Sequence, residues 1–138
     1  MFINKLIIFT GMPIISASLN QKLLKEMGAM QREVGFSGRS EIIRAGLRLL
    51  ITEQREKAKL KGKVDGVLLI IHEDKYSQEV SNIRHHYSDI IQTHVHNHLE
   101  NNKCLEIFVL KGDATVVKKV SDEFQTNRKI DFVKLIVS

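Results

Sequence analysis

This chain has one cysteine and no tryptophan, and each scarcity removes a class of protein. A single thiol cannot build an intrachain disulfide framework, so a reducing, cytoplasmic setting is expected. Aromatic residues make up only 6% of a chain that is 43% hydrophobic, the composition of an ordinary soluble globular protein. No apolar run approaches the length that crosses a bilayer, about 20 residues, so no membrane partner is expected. The run near the start, Leu6-Ile7-Ile8-Phe9, is also too short for a signal-peptide core and lacks a small-residue cleavage site. Residues 1–11 are therefore read as a flexible arm, with Met12 offering a second start.

At 138 residues the chain is one large or two small domains, and charge divides it. Residues 1–63 carry 12 Lys and Arg against 5 Asp and Glu, a net +7, whereas residues 64–138 carry 9 against 11, a net −2. A basic half suggests contact with a polyanion, and a nearly neutral, His-rich half suggests a sensing body. A basic surface that only aids solubility is the plain alternative.

In the basic half, Ile15, Ala17 and Leu19 alternate with Ser16 and Ser18, which predicts a short strand. Asn20 is a good N-cap for a helix carrying Leu23, Leu24, Met27, Met30 and Val34, ended by Gly35. Phe36-Ser37-Gly38 then turns the chain into a second helix that begins near Arg39-Ser40-Glu41 and carries Ile42, Ile43, Leu47, Leu50 and Ile51 inward. One strand alone leaves both edges unpaired. Two copies must therefore pair theirs, which gives the dimeric ribbon-helix-helix (βαα) arrangement of β-ribbon readers of the DNA major groove. Ser16 and Ser18 would face the bases, and Arg39 would meet phosphate at the start of the second helix, with Lys22 and Lys25 assisting. A plain solvent-facing strand is the alternative for the serines. Glu53 to Lys63 is densely charged and reads as a frayed helix end followed by a linker. The expected domains are thus 12–55 and 64–138, joined by 56–63.

The second half reads as a strand over 67–71, a helix over 77–87, strands over 90–99 and 105–110, a turn at Lys111-Gly112-Asp113, a helix over 114–124 and a strand over 130–137. That order, βαββαβ, is the ferredoxin-like split unit, and the whole chain is α+β. Its open sheet face and edges invite oligomerisation. All six histidines fall between positions 72 and 98, and Cys104 follows them. On a strand His94, His96 and His98 share a face. A polar turn, Glu100-Asn101-Asn102-Lys103, would bring Cys104 beside their rings. Imidazole and thiolate are ligands that borderline transition ions prefer over water. The alternative is a solvated, His-rich strand with Cys104 as a small core residue.

The stretch His96-Asn97-His98-Leu99-Glu100-Asn101-Asn102-Lys103-Cys104-Leu105-Glu106, with His85 eleven residues upstream and Val109-Leu110-Lys111-Gly112-Asp113 after it, resembles the NikR-type nickel-responsive transcriptional repressors. The similarity runs from Ile14 to the C-terminus and is weaker at Arg39-Ser40-Glu41. It implies a ribbon-helix-helix domain joined to a ferredoxin-like, ACT-type regulatory domain, assembled as a homotetramer (a dimer of dimers) on double-stranded operator DNA. It also implies a ligand set of His96, His98 and Cys104 from one subunit and His85 from a facing one, around square-planar Ni(II). Glu106 would then be the acceptor that fixes an imidazole tautomer. The chain departs from the pattern at Ile14, where members often carry a basic residue. It departs again at Ala45, where an interdomain cation site needs a carboxylate, although Glu41 matches. His94 is an additional donor, either for a second, weaker metal site or as a spare surface histidine. His72 and His86 fall outside the ligand set.

The function expected from all this is a metal-responsive DNA-binding regulator, a repressor whose operator affinity rises on binding nickel. The alternatives are the same fold tuned to Cu(II), Zn(II) or Co(II), or to a small ligand at the ACT interface. No enzyme is expected, because a nucleophilic cysteine needs an oriented base and a substrate pocket, and co-facial imidazoles look like ligands instead.

Overall fold

The computed structural model describes residues 12–138, and the arm expected over 1–11 lies outside the described residues. Two compact units are present, one ending at Leu50 and the other comprising Ile51–Ser138.

In the first unit residues 13–20 take no regular secondary structure in the single chain, and Ile14 and Ile15 are exposed. The strand expected there has no partner in a lone copy. Helix α1 (Gln21–Met30) begins where the Asn20 side chain accepts the Leu23 N–H at 2.8 Å, satisfying one of the donors that a helix start leaves free. It runs on as a π-helical turn, Gln31–Gly35, and stops at Gly35, whose φ of 90° suits glycine. Helix α2 (Arg39–Ala58) follows, with the Glu41 carboxylate held by Arg44 at 3.0 Å and Arg48 at 2.9 Å. Met27 is the one buried hydrophobic among the described residues of this unit; Leu23, Leu24, Leu47 and Leu50 remain exposed.

The segment expected as a frayed end and linker is mostly structured. Helix α2 continues through Ala58, where its last turns pack inside the second unit: Lys57 pairs with Asp122 and Glu53 with Lys134, and Lys118 Nζ donates to the Ala58 carbonyl at 3.3 Å. The next strand starts at Lys63, so only residues 59–62 connect the two elements.

The second unit consists of β1 (Lys63–Glu73), a 3-10 turn (Asp74–Tyr76), α3 (Ser77–His86), β2 (Ile91–Leu99), β3 (Lys103–Asp113), α4 (Ala114–Gln125) and β4 (Ile130–Val137). The sheet order is β2-β3-β1-β4 with every neighbour antiparallel, an α+β arrangement compatible with an ACT-like domain. Alternation turns Leu68, Ile70 and His72 of β1 and Cys104, Glu106, Phe108 and Leu110 of β3 toward the helices. There Val80 and Ile83 of α3 and Val117, Val120 and Phe124 of α4 close the core, with Phe108 and Phe124 stacked at 5.9 Å between ring centroids. The opposite face is apolar and exposed at Val95, Leu99, Val109, Phe132 and Ile136. The β2–β3 turn places Asn101 and Asn102 at φ of 60° and 58°, a left-handed pair that asparagine tolerates.

One expected turn is strand instead. Lys111, Gly112 and Asp113 extend β3, facing Asp65, Val64 and Lys63 of β1. Gly112 is needed there for close approach, since a Cβ at that position would lie 2.5 Å from Ile90 Cγ2. Among the described residues, no helix is long and apolar enough to cross a membrane.

Candidate metal centre

Strand register brings the donors together. On edge strand β2, His98 lies opposite Cys104, His96 opposite Glu106 and His94 opposite Phe108 of β3, while on the other side of β3 His72 of β1 also faces Cys104. Because side chains alternate, all of these groups emerge on the helix side of the sheet. The result is two three-donor groups, His96–His98–Cys104 and His94–His96–Glu106, each with its ligand atoms within 4.8 Å of one another.

In the first group His98 Nδ1 lies 3.6 Å from Cys104 Sγ. With bonds of about 2.1 Å to nitrogen and about 2.3 Å to sulfur, two such donors on one ion sit roughly 3.1 to 3.6 Å apart. The spacing therefore fits a shared ion, and the donor types fit a borderline transition metal. Cys104 Sγ also donates to Asp74 Oδ1 at 3.3 Å, and that oxygen lies 3.8 Å from His98 Nδ1. Burial first, and then the bond to Asp74, push the Cys104 thiol above its ordinary pKa. The thiol is thus kept protonated until something displaces the proton.

In the second group the Glu106 carboxylate is buried and, among the described residues, its ion-pair partners are all imidazoles: His96 Nδ1 at 3.0 Å, His72 Nε2 at 3.1 Å, and His94 Nε2. His72 is wholly buried, and its Nδ1 lies 2.7 Å from the Glu73 carbonyl. A carbonyl only accepts, so Nδ1 must donate; Nε2 can then donate to Glu106 only when the ring carries both protons. A cleft of about 260 Å³ opens in front of this group, walled by Ser77, Gln78, Ser81 and Arg84 of α3.

Of the residues singled out in the sequence, His94, His96, His98, Cys104 and Glu106 thus come together. His85 does not join them: it is exposed in the last turn of α3 and belongs to neither group. Ser16, Ser18, Lys22, Lys25 and Arg39 are exposed on the first unit. Sequence reasoning missed Asp74 and set His72 aside. The alternation Leu68, Ile70, His72 along β1 was the available signal that this histidine points inward.

Comparison with known proteins identifies the family. Residues 66–138 match the family model described as the NikR C terminal nickel binding domain. The chain is 34% identical over 131 residues to a protein of Methanocaldococcus jannaschii named "Putative nickel-responsive regulator", covering 93% of each. Proteins of the same name from Methanococcus maripaludis and Methanococcoides burtonii are 33% and 31% identical, over 89% and 88% of this chain. A solved structure of an uncharacterized protein from Thermotoga maritima matches 55% of this chain and 98% of its own, with 25% identity and a TM-score of 0.51. A nickel-domain match over more than half of the chain, and relatives that align nearly end to end, place this chain in the NikR family of nickel-responsive regulators.

Proposed function

We propose that this regulator is a nickel-dependent DNA-binding repressor, built from ribbon-helix-helix arms on a tetrameric core. The observation that carries the reading is the His98–Cys104 spacing of 3.6 Å with His96 in reach: three soft and borderline donors on neighbouring strands, one position short of a four-donor set. His85 supplies the fourth donor from a facing subunit, which accounts for an exposed imidazole at the end of α3. Glu106 accepts from His96 Nδ1 and so holds that ring with Nε2 free to bind. Nickel supplies the cross-link between subunits when bound.

Two surfaces support assembly. The exposed leucines of α1 and α2 leave the first unit without a core of its own, and a second copy, pairing residues 14–19 as a ribbon, would cover them. The apolar outer sheet face of the second unit is a further contact for copies of the chain. Ser16 and Ser18 would then face base edges, while Arg39 and Lys22 meet phosphate. Holding two dimeric arms in one placement makes the second DNA contact intramolecular, so operator affinity rises without new base contacts. By linkage, DNA tightens nickel binding by the same factor.

The test uses a duplex selected from a random pool by the nickel-loaded protein, with affinity measured in nickel and in chelator. A nickel-dependent gain that Cys104→Ala and His85→Ala each abolish is expected. Equal affinity in nickel and chelator, or an unchanged response in Cys104→Ala, contradicts the proposal. The visible spectrum should show a planar Ni(II) field; a tetrahedral one would refute the ligand set.

A further inference from the structure

We propose that His94, His96 and Glu106 form a second divalent transition-metal site, which competes with the Cys104 group for the His96 ring. The proposal deepens the nickel reading and rests on it only for that competition. Its donors, two imidazoles and a carboxylate, lie within 4.8 Å of one another and suit the same class of borderline ion, with oxygen in place of sulfur. The carboxylate is buried, so an ion there meets little competition from water for that ligand. The cleft beside it leaves room for further ligands: the Ser77 and Ser81 hydroxyls and the Gln78 amide line it, and Arg84 on the same wall favours an anion or water in the remaining positions. His72, behind Glu106, anchors the carboxylate at 3.1 Å.

Competition follows from the chemistry of one ring. A neutral imidazole has a single lone pair on nitrogen. When His96 binds through Nε2 in the Cys104 group, Nδ1 carries the proton and donates to Glu106. When Nδ1 is itself the ligand beside Glu106, Nε2 carries the proton and is lost to the Cys104 group. One protomer therefore holds one ion at a time, in one group or the other. All the donors of the second group belong to a single chain, so it can load without a contribution from a neighbouring subunit.

Cobalt(II) titration of the full-length protein tests this. Wild type should bind one ion per chain with a thiolate-to-metal charge-transfer band, and His94→Ala should keep both. Cys104→Ala should still bind one ion per chain, without that band, and adding His94→Ala to it should weaken binding by about tenfold or more. Cys104→Ser, which conserves volume, repeats the experiment if the alanine variant does not fold. The proposal is overturned if the cysteine variants bind no cobalt, if His94→Ala leaves their affinity unchanged, or if wild type holds two ions per chain at once. A wild type without the charge-transfer band would instead sink the thiolate site and leave the second group standing on its own result.

Discussion

Glu106 is the residue whose loss should be felt most, and the structure says why. Its carboxylate serves three rings, but the rings are not equal. His94 and His96 have side chains 26% and 32% exposed, so either can turn to water once the carboxylate is gone. His72, with no exposed surface, cannot. Removing one partner from a buried pair costs about 3–5 kcal/mol because the other is left uncompensated, so Glu106→Ala should destabilise the metal-free protein by roughly that amount. Glu106→Gln keeps an acceptor for His72 Nε2 and loses only the charge assistance, the difference between a charged and a neutral hydrogen bond, for about 1–1.5 kcal/mol. Replacing both members with apolar groups removes the unpaired partner, so Glu106→Leu with His72→Leu should recover much of the loss. Urea unfolding in chelator at one fixed protein concentration measures all three, since assembly and metal would otherwise shift the midpoint. A cost under about 1 kcal/mol for Glu106→Ala, or strict additivity of the two leucine substitutions, would refute the argument.

Three further outcomes are expected. Gly112→Ala should cost about 1–3 kcal/mol by forcing Ile90 off its present position, read as a lower urea midpoint; an unchanged midpoint would mean that β3 yields freely there. With Cys104 as a ligand, nickel binding displaces its proton, and because that thiol is raised above its ordinary value, affinity should fall about tenfold per pH unit on acidification, starting from a higher pH than for a free thiol. Competition with a chelator of known affinity would show this, and a flat profile would indicate that the thiol is not a ligand. Arg39→Ala should weaken DNA binding uniformly across sequences and lower the salt slope by about 1; a loss confined to particular sequences would make Arg39 a base reader instead.

The elements of the second unit were legible because helix and strand periods are local. Ser77 to His86 and Ala114 to Gln125 fall where apolar spacing put them, and the Asn101-Asn102 turn follows from residues that tolerate positive φ. The expected turn at Lys111-Gly112-Asp113 was strand because turn chemistry competes with pairing, and β1 reaches far enough to pair those residues. The alternation over 15–19 is equally plain in the sequence, yet a lone chain offers it no partner, and pairing between copies is not a local property.

The same distinction governs the site. His94, His96 and His98 share a face by period alone, and the short turn after them makes Cys104 reachable, so the first group could be assembled from one stretch of sequence. So could the second, since His94, His96 and Glu106 lie on the same two strands; what could not be read there is what surrounds both groups, which register across three strands decides. His72 stands 34 residues from Glu106 in sequence and Asp74 stands 30 from Cys104; only the pairing of β1 with β3 sets them beside those partners. A histidine at the inward end of β1 has the same residue type and nearly the same spacing from its neighbours whether it is a ligand, a buried anchor or a surface ring. Burial decides between those roles. It makes His72 the support on which Glu106 is held, and it makes Glu106, caught between one buried ring and two accessible ones, the carboxylate whose single negative charge can serve either an imidazole proton or an ion.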